Sequence, residues 1–320
     1  MSPLRLVILD TDPGVDDALA LLYLRSRPEL RLLAITTVFG NADVETTTRN
    51  ALWLRARLGL SVPVHKGAAA PLERPRGRSP VHVHGENGLG DIDLESPELP
   101  SVDPGLAHQR IIEIVRAHPG VVTLVAIGPL TNLALALRAA PDIAPLVSGV
   151  TIMGGAFGEQ GRTGNVTPYA EANFHNDPEA AAEVLAAPWP LTLVPLDATM
   201  SCVLTDSAAR DLAARSDAGR LTYEVTRGYA KAYARHEGLD GCVLHDVAAL
   251  VSLTTPDLFA TRTAPVSVTT SDERRGQTLW ATSGREIGVR LQADGPRLAA
   301  HFQDALASTP SQAIIRAHSS

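Results

Sequence analysis

The sequence predicts an α/β chain: an open, mostly parallel, Rossmann-like sheet flanked by helices. Three observations carry that expectation. Short continuous apolar runs rich in β-branched residues recur at residues 6–9, 32–38, 121–127, 147–153 and 191–196, as strands buried on both faces of a parallel sheet require. Ala/Leu-rich stretches of helical length separate them, which is the spacing of right-handed crossovers. Several runs also end abruptly in turn or polar residues: Asp10, Phe39-Gly40-Asn41, Gly128-Pro129 and Gly154-Gly155. In such sheets the crevice beyond the carboxyl ends of the strands is the ligand site.

The first run leads into Asp10-Thr11-Asp12-Pro13-Gly14-Val15-Asp16-Asp17, and a helix is expected over residues 18–25. Asp at a helix start is ordinarily explained by capping and by the helix dipole. Four carboxylates around a Pro-Gly turn ask for more, because like charges crowded together need a positive partner. The cluster contains neither His nor Cys, so its hard oxygens suit Ca²⁺ or Mg²⁺ over zinc. Asn41, directly after the second strand, reads either as a helix cap or as a ligand contact at the same rim.

A helix over 43–58 and a short strand at 62–64 follow. Residues 67–104 then lose all periodicity and read as a long functional loop carrying His82, His84, Glu86 and Asn87. A helix over 105–117, the strand 121–127 and a helix over 130–137 repeat the strand–turn–helix pattern, with Thr131 and Asn132 as helix-start residues. After the strand 147–153, a Gly-rich polar loop carries Glu159, Asn165, Glu171 and Asn173; Asp177 before Pro178 reads as a cap. Helices are expected over 205–215 and 220–235. Tyr223, Tyr229 and Tyr233 on the second read first as core or subunit contact, and only secondarily as base contacts. Asp246, at the start of the next helix, would be a cap by default. Residues 266–270, 278–282 and 287–291 alternate as antiparallel strands do, and 296–307 closes as an amphipathic helix.

The acidic stretch resembles the signature of the inosine-uridine-preferring nucleoside hydrolases. The resemblance continues at Phe39-Gly40-Asn41, His84-Gly85-Glu86-Asn87-Gly88-Leu89, Ile127-Gly128-Pro129-Leu130-Thr131-Asn132, Met153-Gly154-Gly155, Glu171-Ala172-Asn173 with Asp177-Pro178-Glu179, and His245-Asp246, in the family's order. It implies a nucleoside hydrolase fold and Ca²⁺-dependent cleavage of the N-glycosidic bond of ribonucleosides to ribose and free base. It further implies that Asp12, Asp17, Asp246 and the backbone carbonyl of Ile127 hold the metal. Asp12 would be general base toward the water on that metal, and His245, with His84 as a second candidate, would be acid for the leaving base. Asp16, Asn41, His84, Met153, Asn165, Glu171 and Asn173 would bind substrate. Asp10 is expected to support the loop by hydrogen bonding.

Composition bounds the remainder. The 320 residues, with 45% hydrophobic and 20% charged, suit one large globular domain, expected over 1–310 with a weakly ordered tail at 311–320. Net charge is −7, and no basic run is present, so a small ribonucleoside is expected as partner and nucleic acid is not. Neither a signal-peptide core nor a membrane-length apolar segment is seen, and the two cysteines lack metal spacing; a cytoplasmic homodimer or homotetramer is the expectation. Two rivals fit Asp10-Thr11-Asp12 more loosely. One is an aspartyl-nucleophile phosphatase, which would need Lys66 or Lys231; the other is a non-catalytic Ca²⁺-stabilised sugar-binding protein.

Overall fold

The computed structural model describes residues 4–94 and 99–308; the tail expected at 311–320 lies outside them. In chain order, strand β1 (Arg5–Thr11) leads to helix α1 (Val15–Ser26), β2 (Leu30–Thr37), α2 (Val44–Arg57) and β3 (Val64–Lys66). A single turn α3 (Val81–His84) interrupts the long loop, ahead of α4 (Ala107–Ala117), β4 (Val122–Ala126), α5 (Thr131–Ala139) and β5 (Gly149–Met153). Next come α6 (Ala172–Asn176), α7 (Pro178–Ala186), β6 (Leu191–Val194), the turn α8 (Leu196–Thr199), β7 (Val203–Leu204), α9 (Asp206–Arg215) and α10 (Asp217–Glu237). The chain then forms β8 (Cys242–Val243), α11 (His245–Thr254), β9 (Phe259–Val268), β10 (Thr278–Trp280), β11 (Glu286–Ala293) and α12 (Gly295–Ala307).

Nine strands form one sheet in the order β10-β9-β11-β6-β5-β4-β1-β2-β3, and β7 pairs with β8 in a separate ribbon. Every neighbouring pair from β3 across to β11 is parallel. The chain runs outward from β1 through β2 to β3, then returns and builds the other half from β4. The carboxyl ends of β1 and β4 therefore flank the switch point where ligand crevices form. Along β1, Val7 and Leu9 join one apolar cluster with α1, α2, α10, α11 and α12, while Ile8 joins the other with α4, α5 and α7. This alternation buries the strand on both faces, which is why its sequence reads as an unbroken apolar run.

Two expectations are corrected. The strand expected over 287–291 is not simply antiparallel: β11 enters the main sheet parallel to β6 and only its other edge pairs antiparallel with β9. Helix α1 begins at Val15, three residues ahead of the expected start, so Asp16 and Asp17 stand in its first turn. The apolar period begins only at Ala18, but the helix takes up the acidic pair because aspartate is favoured at that end.

Candidate active site

The end of β1 and the start of α1 fold so tightly that a Cβ on Gly14 would lie 2.6 Å from both Asn41 Nδ2 and His84 Nδ1. Only glycine lets the three segments meet there. Asp17 is secured by its surroundings: Thr11 Oγ1 donates to Oδ1 at 2.5 Å, while the Gly14 N–H at 2.8 Å and Asn41 Nδ2 at 3.0 Å donate to Oδ2. Asp12 receives the Asn41 backbone N–H on Oδ2 at 2.7 Å. Its Oδ1, and Oδ1 of Asp16, are buried and find no hydrogen-bond partner among the described residues. Asp246 arrives from the first turn of α11, and one carboxylate oxygen from each of Asp16, Asp17 and Asp246 lies within 4.8 Å of the others.

Burial pushes the carboxyl groups of all four up, and mutual repulsion adds to this at Asp12, Asp17 and Asp246. Buried carboxylate oxygens left unpaired among like charges are costly unless a cation compensates them. The donors are all hard oxygens, so this cluster fits a hard divalent ion. Asp10 sits one layer below, accepting from Thr36 Oγ1 at 2.5 Å and Asn132 Nδ2 at 2.8 Å, with its carboxyl raised to about 7 by burial. Asn132 also bonds the Thr37 carbonyl and the Ala68 N–H, so Asp10 and Asn132 brace the rim, as the sequence suggested for Asp10.

Above the acidic floor opens a cavity of about 610 Å³, within the range of small-molecule sites. Asp16, Asn41, His84, Ile127, Met153, Asn165, Glu171, Asn173, His245 and Asp246 line it, whereas Asp12 and Asp17 are not part of its lining. Glu171 caps α6, accepting from the N–H groups of Gly155, Asn173 and Phe174, and burial raises its carboxyl to about 7. Asn173 Nδ2 donates to the carbonyls of Ile127 and Met153, both at 3.1 Å, tying the ends of β4 and β5 together. Asn165 stands exposed at the rim and its Oδ1 accepts the Ala172 N–H at 3.0 Å.

The opposite wall is aromatic. His84 Nδ1 accepts the Val15 N–H at 3.3 Å, and burial lowers its pKa, so its 3.9 Å approach to Asp16 is not an ion pair. His84 lies 5.4 Å from the Tyr229 ring. His245 is bonded at both nitrogens: Nδ1 to Thr199 Oγ1 at 2.7 Å and Nε2 to the Tyr233 hydroxyl at 2.6 Å. Burial lowers its pKa to about 3, which keeps the ring neutral.

The tyrosine stripe is core, as the sequence first suggested, with Tyr229 in the buried apolar cluster and Tyr223 and Tyr233 packed against it, and it also reaches the cavity. Tyr229 and Tyr233 face the cavity, while Tyr223 lies under the Arg227 guanidinium at 3.7 Å. The spacing of four residues did mark a shared face, but nothing in the sequence said what α10 would face. Thr199 carries no local signal at all, since its role depends on where β6 ends. Neither lysine lines the cavity: Lys66 pairs with Glu45 and Lys231 is exposed. The phosphatase alternative therefore lacks the lysine it requires.

A family model described as inosine-uridine preferring nucleoside hydrolase matches residues 7–305. Uridine nucleosidase 1 of Arabidopsis thaliana is 38% identical over 275 residues, covering 85% of this chain and 81% of that protein. Non-specific ribonucleoside hydrolase RihC of Salmonella agona strain SL483 is 37% identical over 300 residues, 91% of this chain and 94% of that protein. Among solved structures, the plant nucleoside hydrolase PpNRh1 superposes with a TM-score of 0.89 at 34% identity, covering 96% of this chain and 100% of that one. With a cavity built on a buried acidic floor and a family match across nearly its whole length, the chain belongs to the inosine-uridine preferring nucleoside hydrolases, hydrolases that act on N-glycosyl compounds.

Proposed function

We propose that hydrolysis of a ribonucleoside to ribose and free base takes place in this cavity, with Ca²⁺ held by Asp12, Asp17, Asp246 and the Ile127 carbonyl. The observation that carries this reading is the pair of buried, unpartnered oxygens, Asp12 Oδ1 and Asp16 Oδ1, beside the converging carboxylates. When bound, the cation supplies positive charge that offsets the carboxylates and makes water more acidic. Asp16 lines the cavity and has an oxygen to spare, so it is assigned to ribose with Asn41, Asn165, Glu171 and Asn173, over the Met153 wall. Holding the sugar by several hydroxyls at once fixes C1′ for attack.

Asp12, with its free Oδ1, takes the proton of the attacking water as general base. No covalent intermediate is needed, as in inverting glycosidases. His245, protonated for the step, donates through the Tyr233 hydroxyl toward the departing base and is left as the neutral ring that burial favours, and His84 and Tyr229 form the wall beside it. Two buried, unpaired thiols, Cys202 and Cys242, support a reducing compartment such as the cytoplasm. Assembly as a homodimer or homotetramer is proposed from the family resemblance, and sedimentation distinguishes the two. The test of function is release of ribose from inosine and uridine. Loss of release on chelation with recovery on adding Ca²⁺ supports the reading, and no release under any metal condition overturns it.

A further inference from the structure

The loop between β5 and α6, which carries Asn165 and Glu171, is fastened from outside the cavity. Asp197, one residue into α8, accepts the N–H groups of Phe157 at 2.8 Å and Glu159 at 2.7 Å. Phe157 stacks on Trp280 with ring centroids 4.1 Å apart and planes 23° from parallel. Trp280 Nε1 donates to Glu159 Oε1 at 3.0 Å, and the same oxygen accepts from Arg262 Nη1 at 3.0 Å. The Arg262 guanidinium completes the group, 4.1 Å over the Trp280 ring. Farther along, Ala170 forms a bridge with Gln277, and Thr278 Oγ1 accepts the Ala156 N–H at 3.3 Å. Both ends of the loop are thus gripped by the β9–β10 unit. Neither Trp280, Arg262, Phe157 nor Glu159 lines the cavity.

We infer that Trp280 is a positioning residue for the sugar: by holding Phe157 and Glu159 it sets where the loop presents Asn165 and Glu171. This rests on the proposal that those two residues bind ribose. A stack on Phe157 and an indole N–H···carboxylate bond to Glu159 tie Trp280 to this loop, and the Arg262 guanidinium over its ring bonds the same carboxylate. Rigid support matters because small displacements of binding groups are costly in rate.

The test uses the full chain with inosine and uridine. Trp280→Ala is expected to lower kcat/KM by about ten-fold, mostly through KM, since it loosens contacts made in the bound state. Amide exchange at Phe157 and Glu159 should quicken, while the amides of β4 and β5 stay protected. Trp280→Phe keeps the stack and should recover most of the loss. Should Trp280→Ala fail to fold, Glu159→Ala at the exposed end of the clamp removes the acceptor of both bonds and should raise KM in the same direction. Unchanged KM and unchanged loop exchange in a folded variant overturn the inference. An equal drop of kcat with unaltered KM overturns it as well. Absence of ribose release by the unaltered chain would instead defeat the proposed function on which it rests.

Discussion

Tyr233 places its hydroxyl 2.6 Å from Nε2 of His245, a ring whose other nitrogen is held by Thr199. The imidazole cannot rotate without losing two bonds, and burial keeps it uncharged near neutral pH. Under the proposed function a proton taken up by His245 passes outward through this pair to the departing base, and the ring returns to its neutral form.

His245→Ala should therefore slow inosine hydrolysis by about 10²- to 10⁴-fold, the usual worth of general acid catalysis. An activated aryl riboside, whose leaving group needs no proton, should lose much less. Steady-state kinetics on both substrates checks this, and equal losses would remove the acid role. Tyr233→Phe should show the same substrate pattern with a smaller loss.

Asp12 is held in a narrow slot. A Cβ on Gly128 would stand 2.6 Å from its Oδ1, and one on Gly40 would stand 1.9 Å from its Oδ2. Gly128→Ala is expected to displace the carboxylate and lower kcat on the order of 10²-fold. Asp12→Asn, nearly the same shape, should keep its Asn41 bond and the fold while losing about 10²- to 10⁴-fold in turnover. Circular dichroism and turnover measured together separate the two effects.

Like charge in the acidic floor costs stability when no cation offsets it. Asp246 is raised first by burial and then by Asp16, Asp17, Asp12 and Glu171. In chelator, Asp246→Asn should stabilise the protein by on the order of 1 kcal/mol, about 1–2 °C in Tm for a chain of this length. In excess Ca²⁺ the order should reverse, because the unaltered protein gains binding energy that the variant cannot. Thermal melts with and without Ca²⁺ read both signs.

The two thiols should be inert in the folded state. Burial raises both Cys202 and Cys242 to about 12, so at pH 8 the thiolate fraction is about 10⁻⁴, roughly a thousand times below that of a free cysteine group. Alkylation with iodoacetamide followed by mass spectrometry should find no label until the chain is unfolded. Rapid labelling of the native protein would contradict their burial.

Much of this site was legible in the sequence because its donors cluster where strands end. Asp12, Asp16 and Asp17 announced themselves by local charge density and Asn41 by following a strand end, whereas Ile127 and Met153 were singled out only through the family resemblance, because a backbone carbonyl or an apolar strand residue carries no local signal of its role. Asp246 could not be told from a helix cap by its neighbours, because its partners are more than two hundred residues away in the chain. Tyr233 and Thr199 depend on the packing of α10 and α8 about the cavity, which no short stretch encodes. The C-terminal strands were recognised as strands, but the parallel pairing of β11 with β6 is a tertiary fact, and so is the grip of Trp280 on the β5–α6 loop.

The central claim is that carboxylates from the β1–α1 turn, α1 and α11 hold one divalent cation, and calorimetric titration of Ca²⁺ into chelator-stripped protein tests it most directly. One ion per chain should bind, and both Asp17→Asn and Asp246→Asn should abolish the heat signal. No uptake by the unaltered chain, or uptake undiminished in both variants, would contradict the account.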